Sequence, residues 1–147
     1  MWRRSTNAYR VAIDAALQNK PVPGWVLREP YKLSHREYCT GFYFNRPNEA
    51  AQISLAGGYA RPWEVVGVVE SWRDGVCHAR QRGRAFTREP LEALVPGKAP
   101  IPLMLDDLRD GDGNAIDATR HPEMPFSFRC GMELPAGAVL RRETAAG

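Results

Sequence analysis

Glu64-Val65-Val66-Gly67-Val68-Val69-Glu70-Ser71-Trp72 and Val76-Cys77-His78-Ala79-Arg80-Gln81-Arg82-Gly83-Arg84 are two β-rich runs joined by Arg73-Asp74-Gly75. The first is Val-rich, and Asp-Gly between two such runs is a strong hairpin signal, because both residues tolerate the positive φ that a tight two-residue turn needs. On the second run, period two places Cys77, Ala79 and Gln81 on one side and His78, Arg80, Arg82 and Arg84 on the other. The pair therefore reads as a hairpin with a small inner face and a basic outer one.

Downstream, Leu91–Val95, Ile101–Leu105, Ala115–Ala118, Phe126–Cys130 and Val139–Arg142 are further candidate strands. Pro96-Gly97, Asp110–Asn114 and Pro135-Ala136-Gly137 separate them. Phe126, Phe128 and Cys130 alternate with Ser127, Arg129 and Gly131, as a strand with one buried face requires. Six or seven short strands punctuated by turns favour a small closed or nearly closed antiparallel barrel over an open sheet.

Upstream, Ala8, Val11, Ala12 and Ala15 form one stripe and Tyr9, Ile13 and Ala16 an adjoining one, which predicts an amphipathic helix from about Thr6 to Leu17. Ser5, Thr6 and Asn7 are candidate N-caps, and Asn19-Lys20-Pro21-Val22-Pro23-Gly24 stops the helix. Such a helix is marginal alone in water and must pack on something. Trp25–Leu33 reads as a connector containing Pro30, and Asn45–Pro62, rich in Gly, Ala, Pro and Asn, as a long surface loop. Residues 143–147 are expected to fray.

The chain of 147 residues, 44% hydrophobic and 25% charged, has one domain's worth of core-forming material. No apolar run approaches the ~20 residues of a membrane span. Polar Ser5-Thr6-Asn7 follows the basic start, so neither a membrane anchor nor a secretory signal is expected. Cys39, Cys77 and Cys130 are widely spaced, which argues against a zinc site or a disulfide framework. Cys77 and Cys130 read as free buried thiols in a reducing cytoplasm; Cys39 lies among polar residues beside a histidine. The net charge of +3 permits a nucleic-acid partner without demanding one.

No catalytic constellation stands out. Asp106-Asp107 lies in a turn-like region, no Ser occupies a Gly-x-Ser-x-Gly elbow, and His35, His78 and His121 have no evident orienting partners. Asp110-Gly111-Asp112-Gly113-Asn114 begins like a calcium loop. However, Ala115 and His121 stand where the sharp-turn Gly and the bidentate Glu belong, so a hairpin loop is expected and no metal. Gly41-Phe42-Tyr43-Phe44 lacks the context of an RNA-recognition fold. The strongest electrostatic feature is the run holding Arg80, Arg82, Arg84 and Arg88. It reads either as a solvated face balanced by acids such as Glu64 or Glu70, or as a phosphate-contacting stripe.

Ser34-His35-Arg36, Tyr38 and Thr40-Gly41-Phe42-Tyr43 together resemble the signature that opens the C-terminal domain of the peptidase U32 family. Members of that family are described as collagenase-like peptidases or as tRNA and rRNA hydroxylation proteins. Asn7-Ala8-Tyr9-Arg10 with Asp14-Ala15, Val66–Val69, Gln81-Arg82 with Arg84 and Phe86, Asp112-Gly113-Asn114 with His121-Pro122, and Pro135-Ala136-Gly137 with Leu140-Arg141-Arg142 follow in the family's order. The pattern departs at Cys39, where Thr is usual, at Gly83, where Asn is usual, and at Thr87-Arg88-Glu89-Pro90, which replaces a Gly-Asp pair.

The resemblance implies a mainly β fold, a small antiparallel barrel like those of translation factors, preceded by one N-terminal α-helix. It divides the chain into residues 1–24, a helix and linker resembling the end of the family's catalytic domain, and residues 25–147, the C-terminal barrel domain. The family's catalytic barrel with its cysteine ligands has no counterpart in this sequence. The chain alone is therefore expected to have no catalytic residues, no cofactor and no enzymatic activity. The implied role is a cytoplasmic accessory domain that helps a U32-type catalytic domain or chain engage structured RNA, tRNA or rRNA, with Arg80, Arg82, Arg84 and Arg88 as the candidate contacts. The rival role is protein docking through the barrel and the helix, testable by a charge at Val11 or Ala15. The signature segment itself reads as a clamp in which Tyr38, Phe42 and Tyr43 pack and His35 and Arg36 make polar ties.

Overall fold

The computed structural model describes residues 2–33 and 63–144, with side chains from Thr6 onward. The signature residues Ser34, His35, Arg36, Tyr38, Thr40, Gly41, Phe42 and Tyr43, along with Cys39 and the expected loop Asn45–Pro62, lie outside them.

Seven antiparallel strands follow the helical start: β1 Trp63–Arg73, β2 Val76–Gln81, β3 Pro90–Leu94, β4 Ile101–Met104, β5 Asp106–Asp110, β6 Pro125–Arg129 and β7 Val139–Glu143. Their order in the sheet is β4-β3-β7-β1-β2-β6-β5. The two strands at the ends of this order are joined by the single residue Leu105, so one run of chain pairs with β3 by its first half and with β6 by its second. The sheet thus curls until its edges meet in one segment, which is how a small β-domain avoids exposing unpaired edges.

The β1–β2 hairpin forms as the sequence dictates. Arg73 pairs with Val76 across Asp74 (φ 49°) and Gly75 (φ 81°), and positive φ at both positions defines the turn whose twist matches the strands. Register irregularities between Val65 and Gly67 and between Val69 and Ser71 bend this long central strand around the core. At Gly67 a Cβ would meet the Arg80 carbonyl at 3.0 Å and the Phe126 ring at 3.1 Å, so the absence of a side chain lets that ring settle against β1.

Val66, Val69, Cys77, Ala79, Leu91, Leu105, Leu108, Phe126, Phe128, Leu134 and Leu140 fill the interior. The inner face expected for β2 is the buried one: Cys77, Ala79 and Gln81 are inside, and His78 and Arg82 outside.

Two of the expected strand assignments are corrected. Ala115–Ala118 contributes only isolated bridges, Arg109 with Ala115 and Phe86 with Ala118. The seventh strand is instead Asp106–Asp110, read from sequence as a turn. Three of its five residues are Asp, a poor strand former; it is held by pairing to β6 and by burial of Leu108 alone.

The helical part comprises α1 Trp2–Leu17, α2 Gly24–Arg28 and a 3-10 turn Glu29–Lys32. Ser5, Thr6 and Asn7 lie within α1 rather than capping it. Asn7 instead ties α1 to the β3–β4 turn, its Oδ1 accepting from Gly97 N at 2.7 Å and its Nδ2 donating to Lys98 O at 3.2 Å. The expected stop is built on Asn19 (φ 51°), followed by the Lys20 N–H donating to Ala15 O at 2.9 Å, a left-handed C-terminal closure. The segment read as a connector is helical in α2 and the 3-10 turn, so there is more than one helix before the barrel.

Candidate functional site

The helical part is fastened to the barrel by a buried charge cluster. Leu140 of β7 faces the interior, so period two turns Arg141 to the outer surface, where its register partner on β3 is Glu92. That patch would be open to water if the 3-10 turn did not cover it. Its Glu29 carboxylate takes a two-pronged bond from Arg141, with both nitrogen to oxygen distances 2.9 Å. Glu92 Oε2 accepts from Nε at 3.0 Å and from the Arg141 terminal nitrogen at 2.6 Å. Lys32 Nζ reaches both Glu92 oxygens at 3.1 Å and Glu29 at 3.5 Å.

Arg141 and Lys32 also lie over the Trp63 ring, 4.6 and 4.4 Å from its centroid. Two acids and two bases cancel, and the planar guanidinium meets both carboxylates along its donor edges, which suits Arg rather than Lys to the buried position. Arg141 is 0% and Glu29 4% exposed, so this pair is almost wholly out of water, while Lys32 and Glu92 are partly exposed.

Arg142, the next residue, turns the other way, to the barrel rim. It holds Glu64 and Glu89, each at 2.8 Å, and the Arg84 carbonyl at 3.0 Å. Beside it the basic stripe divides. Arg80 Nε donates to Glu70 at 2.6 Å, the cross-strand balance expected for a solvated face, and Arg82 is ion-paired with Glu123. Arg84 and Arg88 have no acidic partner among the described residues. Arg84 lies with its guanidinium carbon 5.0 Å from the centre of the half-exposed Phe86 ring, and Arg88 (φ 59°) sits in the tight turn between Phe86 and Glu89. Gly83 is pressed against β1: a Cβ there would stand 2.5 Å from the Val65 carbonyl oxygen, which excludes any side chain unless β1 moves.

Other candidates resolve into structure. Asp110 Oδ1 accepts from the N–H groups of Asn114 and Asp112 at 2.9 and 3.0 Å, closing its own loop. The Asn114 N–H, chiefly, holds the Asp110 carboxyl below its usual range. Cys77 and Cys130 are free and buried, and burial pushes the Cys77 thiol up to about 12. Among the described residues no group of three or more His, Cys, Asp or Glu is placed to hold a metal ion. No described helix is long and apolar enough to cross a membrane.

A second surface lies on the helices. Of the two stripes on α1, Ala8, Val11, Ala12 and Ala15 are buried or half-buried, whereas Tyr9, Ile13 and Ala16 are exposed, Tyr9 by 62% and Ile13 by 53%, and Leu17, next to Ala16 in the chain, is 77% exposed. Leu27 (67%) and Tyr31 (62%) extend this apolar face, with a groove of about 370 Å³ between α1 and the following helical turns.

The barrel and its approach match a known family. The model of the peptidase family U32 C-terminal domain matches residues 61–141, more than half of the chain. This chain belongs to the peptidase U32 family. A tRNA hydroxylation protein P1 of Bacillus subtilis (strain 168) is 23% identical over 141 residues, which cover 92% of this chain and 33% of that protein. The chain thus spans about a third of the length of this curated relative.

Two crystal structures of the C-terminal domain assigned to a U32 peptidase of Geobacillus thermoleovorans share the fold. The selenomethionine form is 25% identical with a TM-score of 0.51, covering 54% of this chain and 99% of that one. The other form is 24% identical with a TM-score of 0.50, covering 55% and 92%.

Sequence reasoning placed Arg80, Arg82, Arg84 and Arg88 on one stripe; in the structure Arg80 is on β2 and Arg82, Arg84 and Arg88 follow its end, and among the described residues Arg84 and Arg88 are the two without acidic partners. It missed the Arg141 joint. The available signal was an Arg-Arg pair on a strand whose neighbour Leu140 had to face inward, together with Glu92 flanked by two apolar residues.

Proposed function

We propose that this chain is a non-catalytic accessory domain that seats against a U32-type catalytic unit through its helical face. The exposed apolar stripe of Tyr9, Ile13, Leu17, Leu27 and Tyr31 carries this reading. Tyr9, Ile13 and Leu17 follow at four-residue spacing along α1, and Tyr9, Leu27 and Tyr31 line one groove; exposed apolar surface of this kind marks an interaction site. They also precede the matched C-terminal domain, in a chain whose relative has two thirds of its length elsewhere. On this reading residues 1–24 are the closing segment of the catalytic unit, residues 25–147 are the accessory domain, and the whole works in the cytoplasm.

Co-purification with the U32 catalytic domain tests it. Ile13→Glu with Leu17→Glu should abolish association while the barrel's thermal transition is unchanged. Association that survives both charges overturns the docking reading. Val11 and Ala15 are poorer test positions, since they face inward.

A second reading, contact with structured RNA, is favoured by Arg84 and Arg88, exposed and without acidic partners among the described residues, and by a relative named for tRNA hydroxylation. If they meet phosphates, the slope of log affinity for tRNA against log salt should fall by roughly one counterion for each of Arg84→Gln and Arg88→Gln. Arg80 and Arg82, already balanced by Glu70 and Glu123, should contribute less. Identical slopes in wild type and the Arg84/Arg88 double variant remove the RNA reading and leave docking.

A further inference from the structure

Phe86 is an apolar ring at a charged rim. It is 40% exposed in a protein whose other described phenylalanines, Phe126 and Phe128, are buried. Its backbone is fixed from several directions. Phe86 bridges to Ala118, its N–H donates to Glu89 Oε2 at 3.1 Å, and the next residue's N–H donates to Asp117 O at 2.8 Å. The ring is therefore mounted on rigid backbone rather than on a loose loop.

Two guanidinium groups flank it and differ in how they are held. Arg142, 5.8 Å from the ring centre, is anchored by Glu64 and Glu89. Arg84, 5.0 Å away and exposed, has no acidic partner among the described residues, and its guanidinium lies against the ring itself. Arg88 projects from the turn that begins at Phe86.

We propose that Phe86 is a stacking platform for one unpaired RNA base, with Arg84 closing over that base and Arg88 meeting a neighbouring phosphate. A planar base can slip beneath the Arg84 head because only the ring contact has to be exchanged. The guanidinium then keeps a π face below it, now the base instead of the phenyl ring. A protein partner would equally bury an exposed phenyl ring. Arg84 over the ring and Arg88 in the adjoining turn, both exposed and without acidic partners among the described residues, favour a polyanion whose apolar faces are flat, which describes a single-stranded or bulged nucleic acid.

This inference rests on the RNA reading above, so its test separates the two. Fluorescence anisotropy would measure binding of a single-stranded oligouridylate and of an abasic oligomer with the same number of phosphates, each to wild type, Phe86→Ala and Phe86→Trp. The expected result is a preference of wild type for the base-bearing strand of roughly five- to a hundred-fold, lost in Phe86→Ala with the salt slope unchanged. Phe86→Trp should retain the preference and show indole quenching on binding. Equal affinity of wild type for the two oligomers overturns the platform while leaving phosphate contact intact. Absence of binding to either overturns both.

Discussion

Replacing Arg141 by Met keeps most of the aliphatic stem and removes the guanidinium. The structure allows the cost to be worked out. Glu29, 4% exposed, loses both of its two-pronged bonds and keeps only Lys32 at 3.5 Å, and Glu92, 23% exposed, keeps Lys32 at 3.1 Å. Two carboxylates are left sharing one ammonium where two cations had served them. Removing one member of a buried ion cluster costs about 3–5 kcal/mol, most of it the penalty for the stranded partner. Against the 5–15 kcal/mol that holds a domain together, this is a large fraction.

In urea, such a loss should move the unfolding midpoint down by roughly 2 M. Circular dichroism at 222 nm follows the helices, and in a background with Trp2 and Trp25 replaced by Phe the fluorescence of Trp63 and Trp72 follows the barrel, so the two signals together show whether the helical part detaches first. The double variant Arg141→Met, Glu29→Gln should recover part of the loss, because the uncompensated buried charge is gone. An Arg141→Met protein within about 1 kcal/mol of wild type would refute the joint. So would a double variant whose cost is the plain sum of its parts.

Cys77 has its thiol pushed up to about 12 by burial, so at pH 8 it should resist iodoacetamide in the folded protein and react in denaturant, as read by mass spectrometry of its peptide. The unfolded thiol ionises first as pH rises, so stability from this group is full below about pH 9 and declines toward pH 12; a midpoint rising across that range would contradict it. Gly83→Ala should destabilise by about 1–3 kcal/mol, since the new Cβ meets backbone rather than a flexible side chain; an unchanged melting temperature would show that β1 yields freely.

The β1–β2 hairpin was legible because its information is local: Val-rich alternation and Asp-Gly need no partner to be recognised. β6 was legible for the same reason, through Phe126 and Phe128. β5 was not, since Asp106-Asp107-Leu108-Arg109-Asp110 has turn composition and is a strand only because β6 offers it a ladder. Asn7 looked like a cap because its side chain suits one, yet its partners lie some 90 residues away in the β3–β4 turn. The Arg141 joint was harder for a like reason: alternation from Leu140 turns Arg141 outward, but its partner Glu29 is 112 residues distant, and nothing local says that a helical turn will cover it. The cross-strand balance of Arg80 by Glu70 was legible from the β1–β2 pairing, whereas Glu123, which reaches Arg82 from the turn before β6, was not, and β2 ends at Gln81, short of Arg84 and Arg88.

Strand alternation on β7 ties the two candidate surfaces together. Leu140 fixes the inward direction by its burial, so Arg141 must lie on the outer wall and Arg142 back at the rim. The outer one, through Glu29, sets where the helical face stands. The rim one, through Glu64, Glu89 and the Arg84 carbonyl, sets where Phe86 and Arg84 stand. Two consecutive residues of one strand thus hold the proposed docking face and the proposed basic platform on a common rigid support. An accessory domain that must present a substrate to a separate catalytic unit needs that relation, since a surface free to swing relative to its anchor would present the substrate in no fixed place.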